Sequence, residues 1–340
     1  MRIVFWLLWL TVGILPTHDA TAWSDSGHMV MACITYAELT PAVRQKVVAL
    51  LHKHPRYEQD LLAGMPEGFP DPDLYAFMKA ATWPDMVRSF QNPLHRTEHH
   101  ANWHYIDYPL VSPADRQTLN PPSPAEGGGE VDNILKALAG IIAGLKDPHT
   151  PDDRKAVQIC WLCHLVGDLH QPLHCVSLFS PQFPDGDKGG NLFLVSRAGG
   201  EVINLHAEWD GILGPAVTPH AVKLVAQNIL ANPNHQRAAI PELATHTSFK
   251  SWADEGVANA WEFVYLQGRL RSARSETTAQ TRPSELVQPA TRQAARERYG
   301  SAASVPALPV SYEDLARQLA RLRIATGAYR LADQLNAMLQ

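Results

Sequence analysis

The sequence predicts a mostly helical, single-domain protein with one small β-hairpin. Apolar residues recur at helical spacing in segment after segment, strand signals are sparse, and no internal repeat divides the chain. Metal-type residue patterns gather towards the amino end and core-type patterns towards the carboxyl end, which argues for one folded unit rather than two. Thr40 reads as the N-cap of a helix, with Pro41 at its first position and Val43, Val47, Val48, Leu50 and Leu51 at helical spacing. Similar patterns cover Val131–Leu145, Asp152–His170, Pro219–Ala231, Phe249–Leu266 and Tyr312–Leu339. The helix from Asp152 should stop by Gln171, because the ring of Pro172 disfavours helical geometry in the residue before it. His174 therefore falls just past a helix end. Asn191–Ser196 and Glu201–Asn204 read as the hairpin, turning through Arg197-Ala-Gly-Gly200. Pro66–Pro72, Pro109–Gly129 and Pro181–Gly190 are rich in proline and glycine and read as loops, and Arg269–Pro309 reads as an exposed insertion.

Composition narrows the class. With 340 residues, of which 45% are hydrophobic, the chain can bury a large core. Met1–Ala22 has the build of a secretory signal: Arg2, an apolar run from Ile3 to Leu15, and Ala20-Thr-Ala22 as a cleavage site. The expectation is a secreted or periplasmic domain spanning 23–340, without stable membrane association after processing. The formal net charge of −5 is not that of a protein gripping a polyanion with a basic surface. Phosphate chemistry here would need positive charge from bound metal. Export permits disulfides among Cys33, Cys160, Cys163 and Cys175, but the pairing is open. Cys160 lies one turn before His164 and reads as a buried thiol or half of a disulfide in preference to a metal ligand.

The chemistry concentrates in two stretches. His164-Leu-Val-Gly-Asp168-Leu-His-Gln-Pro-Leu-His174 sets two histidines and a carboxylate within eleven residues, and Asn204-Leu-His206-Ala-Glu-Trp-Asp210 follows. His164 and Asp168, like His206 and Asp210, stand four apart, so a helix puts each pair on one face. Neutral imidazole with carboxylate suits zinc. Three weaker pieces add to this. The processed amino terminus, Trp23-Ser-Asp-Ser-Gly-His28, offers a terminal amine and carbonyl at Trp23 and an imidazole at His28. Trp83-Pro-Asp85-Met-Val-Arg88 offers a carboxylate ligand and a guanidinium able to take a phosphate. Trp103-His104-Tyr105-Ile-Asp107 offers another imidazole between an aromatic face and an acid. Each alone is better explained by packing, capping or surface pairing. Together they supply about ten donor groups, and a catalytic zinc takes about three protein ligands, so three ions are expected, with Asp168 as a bridge.

In that combination the chain resembles the S1/P1 nuclease family of tri-zinc single-strand nucleases and 3′-nucleotidases. The resemblance rests on Trp23 and His28, on Trp83, Asp85 and Arg88, on His104-Tyr105-x-Asp107, and on Gly167 to His174. It continues through Gly189-Gly190-Asn191 and Asn204 to Asp210 to Gly327-x-Tyr-Arg-Leu-Ala332. It implies the all-α fold shared by zinc phospholipase C and these nucleases. It implies one zinc on Asp85, His104, His164 and Asp168, a second on Trp23, His28 and Asp168, and a third on His174, His206 and Asp210. It further implies Asp85, Arg88 and Asp168 as the catalytic group, with Tyr105, Asp107 and Asn191 holding a base. The activity implied is hydrolysis of single-stranded DNA and RNA to 5′-phosphorylated products, with 3′-nucleotidase activity, by a monomer. The Cys175–Lys188 loop and the 269–309 insertion depart from the family pattern. Two rivals stay open. Zinc phospholipase C shares the tryptophan and the Gly-Asp-x-x-Gln-Pro core, but it ends its ligand set on glutamate and lacks the His-aromatic-x-Asp and Gly-Gly-Asn pieces. A non-catalytic zinc-binding protein would not need Arg88, Tyr105 or Asp107.

Overall fold

The computed structural model describes residues 23–119, 121, 132–215, 218–270 and 305–340. In chain order the helices are α1 (Asp25–Glu38), α2 (Pro41–Leu51), α3 (Pro72–Ala80), α4 (Trp83–Met86), α5 (His95–Glu98) and α6 (Ile134–Lys146). They continue with α7 (Asp152–Leu169), α8 (Leu205–Asp210), α9 (Pro219–Leu230), α10 (Glu242–Thr245), α11 (Phe249–Asn259) and α12 (Tyr312–Met338). The strands β1 (Tyr108–Val111), β2 (Val176–Phe179), β3 (Leu194–Ser196) and β4 (Val202–Asn204) form two separate two-stranded sheets. The mainly helical class is therefore as the sequence predicts.

Local chemistry sets the helix starts. The Thr40 hydroxyl accepts from the Val43 amide, Asp71 caps α3, Asn133 caps α6 and Thr218 caps α9. Helix α7 ends at Leu169 with His170 at its C-cap, and Pro172–Cys175 follows as a 3-10 turn, so His174 sits beyond the helix. Helix α11 widens after Asn259 into a π-helical turn, Ala260–Val264, so the expected single helix to Leu266 is divided. From Ala156 onward α7 is buried on nearly every face. A helix apolar all round belongs inside the protein, and α1, α2, α3, α6 and α12 pack around this one.

The hairpin forms as expected, with Ser196 opposite Val202. The other sheet does not appear in the sequence reading. β1 pairs with β2 in parallel, Tyr108 opposite Val176, inside the stretch read as the Pro109–Gly129 loop. β1 is four residues long and contains a proline, and β2 is four residues long and buried on both faces, so neither leaves an alternation to detect. Helices α1 and α3 are likewise absent from the sequence expectations: α1 is buried on most of its faces and so shows little amphipathic period, and α3 follows a run of turn residues. All four cysteines are free thiols, and Cys160, Cys163 and Cys175 are buried. Residues 1–22, the expected signal, lie outside the described residues, as do 271–304 of the expected insertion. At the near end of that insertion Leu270 is buried. At its far end Val305 and Leu308 are buried, and Ser196 bonds to both Pro306 and Leu308. No helix among the described residues is long and apolar enough to cross a membrane.

One buried ionic network ties the carboxyl-terminal helix to the end of α7. Glu255 on α11 accepts from Arg330 at 2.5 Å, contacts Arg323 still more closely, and pairs with His246. Arg330 reaches His170 Nε2 at 2.9 Å. Burial works against the Glu255 charge, but the Arg330 and Arg323 guanidiniums outweigh it and hold its carboxyl well below the usual carboxylate range. A carboxyl depressed in the folded state stabilises above its unfolded pKa and loses that contribution as pH falls through the folded value. Glu255→Gln, which leaves two buried cations short of a partner, is expected to cost about 3–5 kcal/mol in denaturant unfolding at pH 7. The gap should narrow as wild type is taken below about pH 4.

Candidate metal centre

The buried stretch of α7 carries the centre. His164 and Asp168 stand one turn apart on α7, and both are fully buried. Asp168 Oδ1 lies 3.2 Å from His28 Nε2 on α1, and its Oδ2 lies 3.0 Å from His104 Nδ1 and 3.3 Å from His164 Nε2. His28 stacks on His164 with ring centroids 4.0 Å apart. Asp85 on α4 brings Oδ1 to 3.8 Å from His164 Nε2. A further group joins His174, His206 and Asp210, with His206 Nε2 3.4 Å from Asp210 Oδ2. Three sets have ligand atoms close enough to share an ion: His28, His164 and Asp168; Asp85, His104 and His164; and His174, His206 and Asp210. The structure thus brings together all eight histidine and aspartate side chains that the sequence singles out as ligands. Trp23 is buried beside Gly27, and with residue 22 attached its nitrogen is a peptide nitrogen. Cys160 belongs to none of the three sets.

The neighbouring backbone aims these side chains. His164 Nδ1 donates to the Ala81 carbonyl at 2.8 Å, His174 Nδ1 to the His104 carbonyl at 2.7 Å, and His206 Nδ1 to the Gly189 carbonyl at 2.7 Å. Each bond fixes the tautomer that leaves the Nε2 lone pair facing the group. The parallel pairing of β1 and β2 continues backwards through Ile106 N to the His174 carbonyl at 2.8 Å, which brings the turn that ends at His104 beside His174. Gly189 adopts φ +61°, and a Cβ there would stand 2.5 Å from the Leu173 carbonyl, so the loop that receives His206 requires glycine. A Cβ at Gly167 would lie 2.6 Å from His28 Nδ1, so the small residue one place before Asp168 makes room for that ring.

Sequence reasoning passed over Gln171. Its amide donates to Asp210 Oδ1 at 2.8 Å while its carbonyl oxygen accepts from Leu173 N, holding the last carboxylate. The only available signal was its place inside the Gly167–His174 motif.

The electrostatics are those of a site built for cations. Burial pushes Asp168 well above the usual carboxylate range, and neighbouring Asp85 and Asp210 add to that. Burial also raises Asp210. Burial drives His28, His104 and His174 well below their ordinary value, with neighbouring histidines adding to the effect. The buried atoms that make no hydrogen bond include both ring nitrogens of His28, Nε2 of His104 and of His174, and one oxygen each of Asp85, Asp168 and Asp210. Buried polar atoms without partners are costly. Their concentration on the ligand residues, with imidazole and carboxylate as the donor set, fits zinc.

Arg88 donates to Asp85 Oδ1 at 3.1 Å. Its charge favours ionised Asp168 and Asp210 and disfavours protonated His104 and His174, so it acts on all the groups together. Tyr105 keeps an exposed ring, its hydroxyl 3.2 Å from Asn102 Oδ1. Asp107 keeps solvent contact, yet the protein crowding it pushes its carboxyl up to about 6, with His206 and Lys188 pulling the other way. Asn191 donates to the Lys188 carbonyl at 2.9 Å and leaves its buried Oδ1 unpartnered.

Zinc would displace protons from carboxyls whose pKa burial holds up. A raised folded pKa stabilises the metal-free fold at low pH and is lost as pH rises through it, so need for the metal grows with pH. The histidines are neutral with or without zinc, so their titration cancels in the comparison. The rise in Tm on adding zinc to EDTA-treated protein should therefore widen from pH 5 to pH 8 in differential scanning calorimetry. Asp168→Asn, which weakens the residue facing both amino-side groups, should lower bound zinc by two ions rather than one in elemental analysis.

Comparison with known proteins bears on this geometry. No curated protein matches the chain, whereas the family model described as S1/P1 Nuclease matches residues 23–340.

Proposed function

The chain belongs to the S1/P1 nuclease family, and on that premise we propose that it is a zinc-dependent, single-strand-specific phosphodiesterase with 3′-nucleotidase activity. Membership makes it a hydrolase of phosphodiester bonds with nucleic acid as substrate, in a family that is zinc-dependent. The observation that carries the finer reading is the convergence of eight buried imidazoles and carboxylates on one place, with unpartnered atoms concentrated there.

Three zincs would be held by Asp85, His104, His164 and Asp168; by Trp23, His28 and Asp168; and by His174, His206 and Asp210. When bound they would supply an acidified water and neutralise charge on the phosphate. The residues of the chain do the rest. Arg88, pinned by Asp85, takes a phosphate oxygen through its planar fork and offsets charge as the P–O bond breaks. The Tyr105 ring stacks on a base, with Asp107 and Asn191 at its edge. A base can stack on Tyr105 only with a face released from its neighbours in the duplex, which favours single strands. Products would carry 5′-phosphates. Gln171 keeps Asp210 oriented, and Gly189 keeps His206 oriented, so both act by positioning.

The residue before Trp23 matters to this reading. A free Trp23 amine is one donor of the second set, so the processed domain is the active form, acting outside the cytoplasm as a monomer. Zinc-loaded protein beginning at Trp23 should cleave single-stranded DNA and release phosphate from 3′-AMP, lose both activities to chelation, and recover them with zinc. A form with one extra residue before Trp23 should be nearly inactive. Equal activity of the two forms would remove Trp23 from the ligand set, and turnover of phosphatidylcholine in place of 3′-AMP would overturn the nuclease reading.

A further inference from the structure

The loop between Arg88 and α5 presents an aromatic ring that the site described above does not use. Phe90 is 89% exposed, in a molecule that buries most of its large aromatics. Its ring is held in place nonetheless. It meets His95 with ring centroids 4.4 Å apart, and His95 Nδ1 bonds to the Val87 carbonyl at 2.8 Å. His95 in turn meets His99 at 4.7 Å.

The loop that carries Phe90 is pinned at both ends by one buried carboxylate. Asp60 Oδ2 accepts from the Trp83 indole at 3.0 Å and from Asn92 Nδ2 at 3.2 Å, while Arg56 Nε bonds both of its oxygens at 3.0 Å. Within the loop, Asn92 N donates to the Ser89 carbonyl and Leu94 N to Asn92 Oδ1, both at 2.9 Å. Asp85, Arg88 and Phe90 thus ride on one braced segment.

Its charge is also distinctive. From Met86 to His99 the single acidic residue is Glu98, which is buried and paired with Arg154 at 2.6 Å. Arg88 and Arg96 remain, Arg88 being paired with Asp85 just before this stretch. An exposed ring that packs on a histidine, two positions from the Arg88 guanidinium, matches the chemistry of a single strand, whose bases stack while its phosphates seek positive groups.

We propose that Phe90, backed by His95, is a second base-stacking platform that binds a nucleotide of a single-stranded substrate away from the scissile phosphate. Asp60 is the residue that positions this segment. The proposal rests on the nuclease reading and extends it from the reacting nucleotide to the rest of the strand. A mononucleotide carries one base, which the Tyr105 ring would take, so Phe90 distinguishes strand from monomer.

The test compares zinc-loaded wild type, Phe90→Ala and Phe90→Trp on two substrates, a ten-residue oligothymidylate and 3′-AMP. Because the side chain is exposed, both variants should fold, and matching circular dichroism and Tm would establish that. Loss of one base–aromatic stack predicts about a fivefold or greater rise in KM for the oligonucleotide in Phe90→Ala. Its kcat and both constants for 3′-AMP should be unchanged, and Phe90→Trp should restore the oligonucleotide KM. An unchanged oligonucleotide KM in Phe90→Ala, or an equal change for 3′-AMP, would overturn the platform. Failure of wild type to hydrolyse either substrate would overturn the nuclease reading on which it stands.

Discussion

A carboxylate at zero exposure, ringed by imidazoles, is the constraint from which the rest of this structure follows. Asp168 is buried on the helix that is itself the centre of the core, and His28, His104 and His164 close around it. Burial favours the neutral form of every one of these groups. Arg88 is a nearby fixed cation, and by itself it cannot balance Asp85, Asp168 and Asp210. Divalent ions would balance them, which would couple the integrity of the core to the ions that the proposed chemistry needs.

That coupling explains the care with which the surroundings are built. Each of three histidines gives one ring proton to a backbone carbonyl, so its direction is set by main chain. A four-residue parallel ladder, small beside the helices, joins the amino-side groups to the third by seating His104 beside His174. Just past Asp168, the Glu255–Arg330–His170 network fixes the residues on which α7 ends. The ligands come from α1, α4, α7, α8 and two turns, so no single element can shift without disturbing the centre.

Charge is distributed to the same purpose. The chain is acidic overall, yet the segment from Met86 to His99 that bears Arg88 keeps its one acid buried and paired. A polyanion would be met by local cations, metal and aromatic faces rather than by a broad basic surface. Binding of that kind reads bases by stacking and is tolerant of sequence.

Much of the site was legible in the chain because metal chemistry restricts residue types so severely. The i, i+4 pairs His164–Asp168 and His206–Asp210 sit on helices, as their spacing requires, and the capping threonine at 40 and the proline at 172 mark boundaries by local sterics alone. Local sequence also determined the mainly helical class and the hairpin at Leu194–Asn204. Tertiary structure decided the remainder: which histidine meets which carboxylate, the sharing of His164 between two sets, the service of Gln171 to Asp210, and the parallel pairing of Tyr108–Val111 with Val176–Phe179. Those are contacts between residues up to about 140 positions apart, and no periodicity records them, because a ligand's partner is chosen by the packing of whole helices and not by its neighbours along the chain.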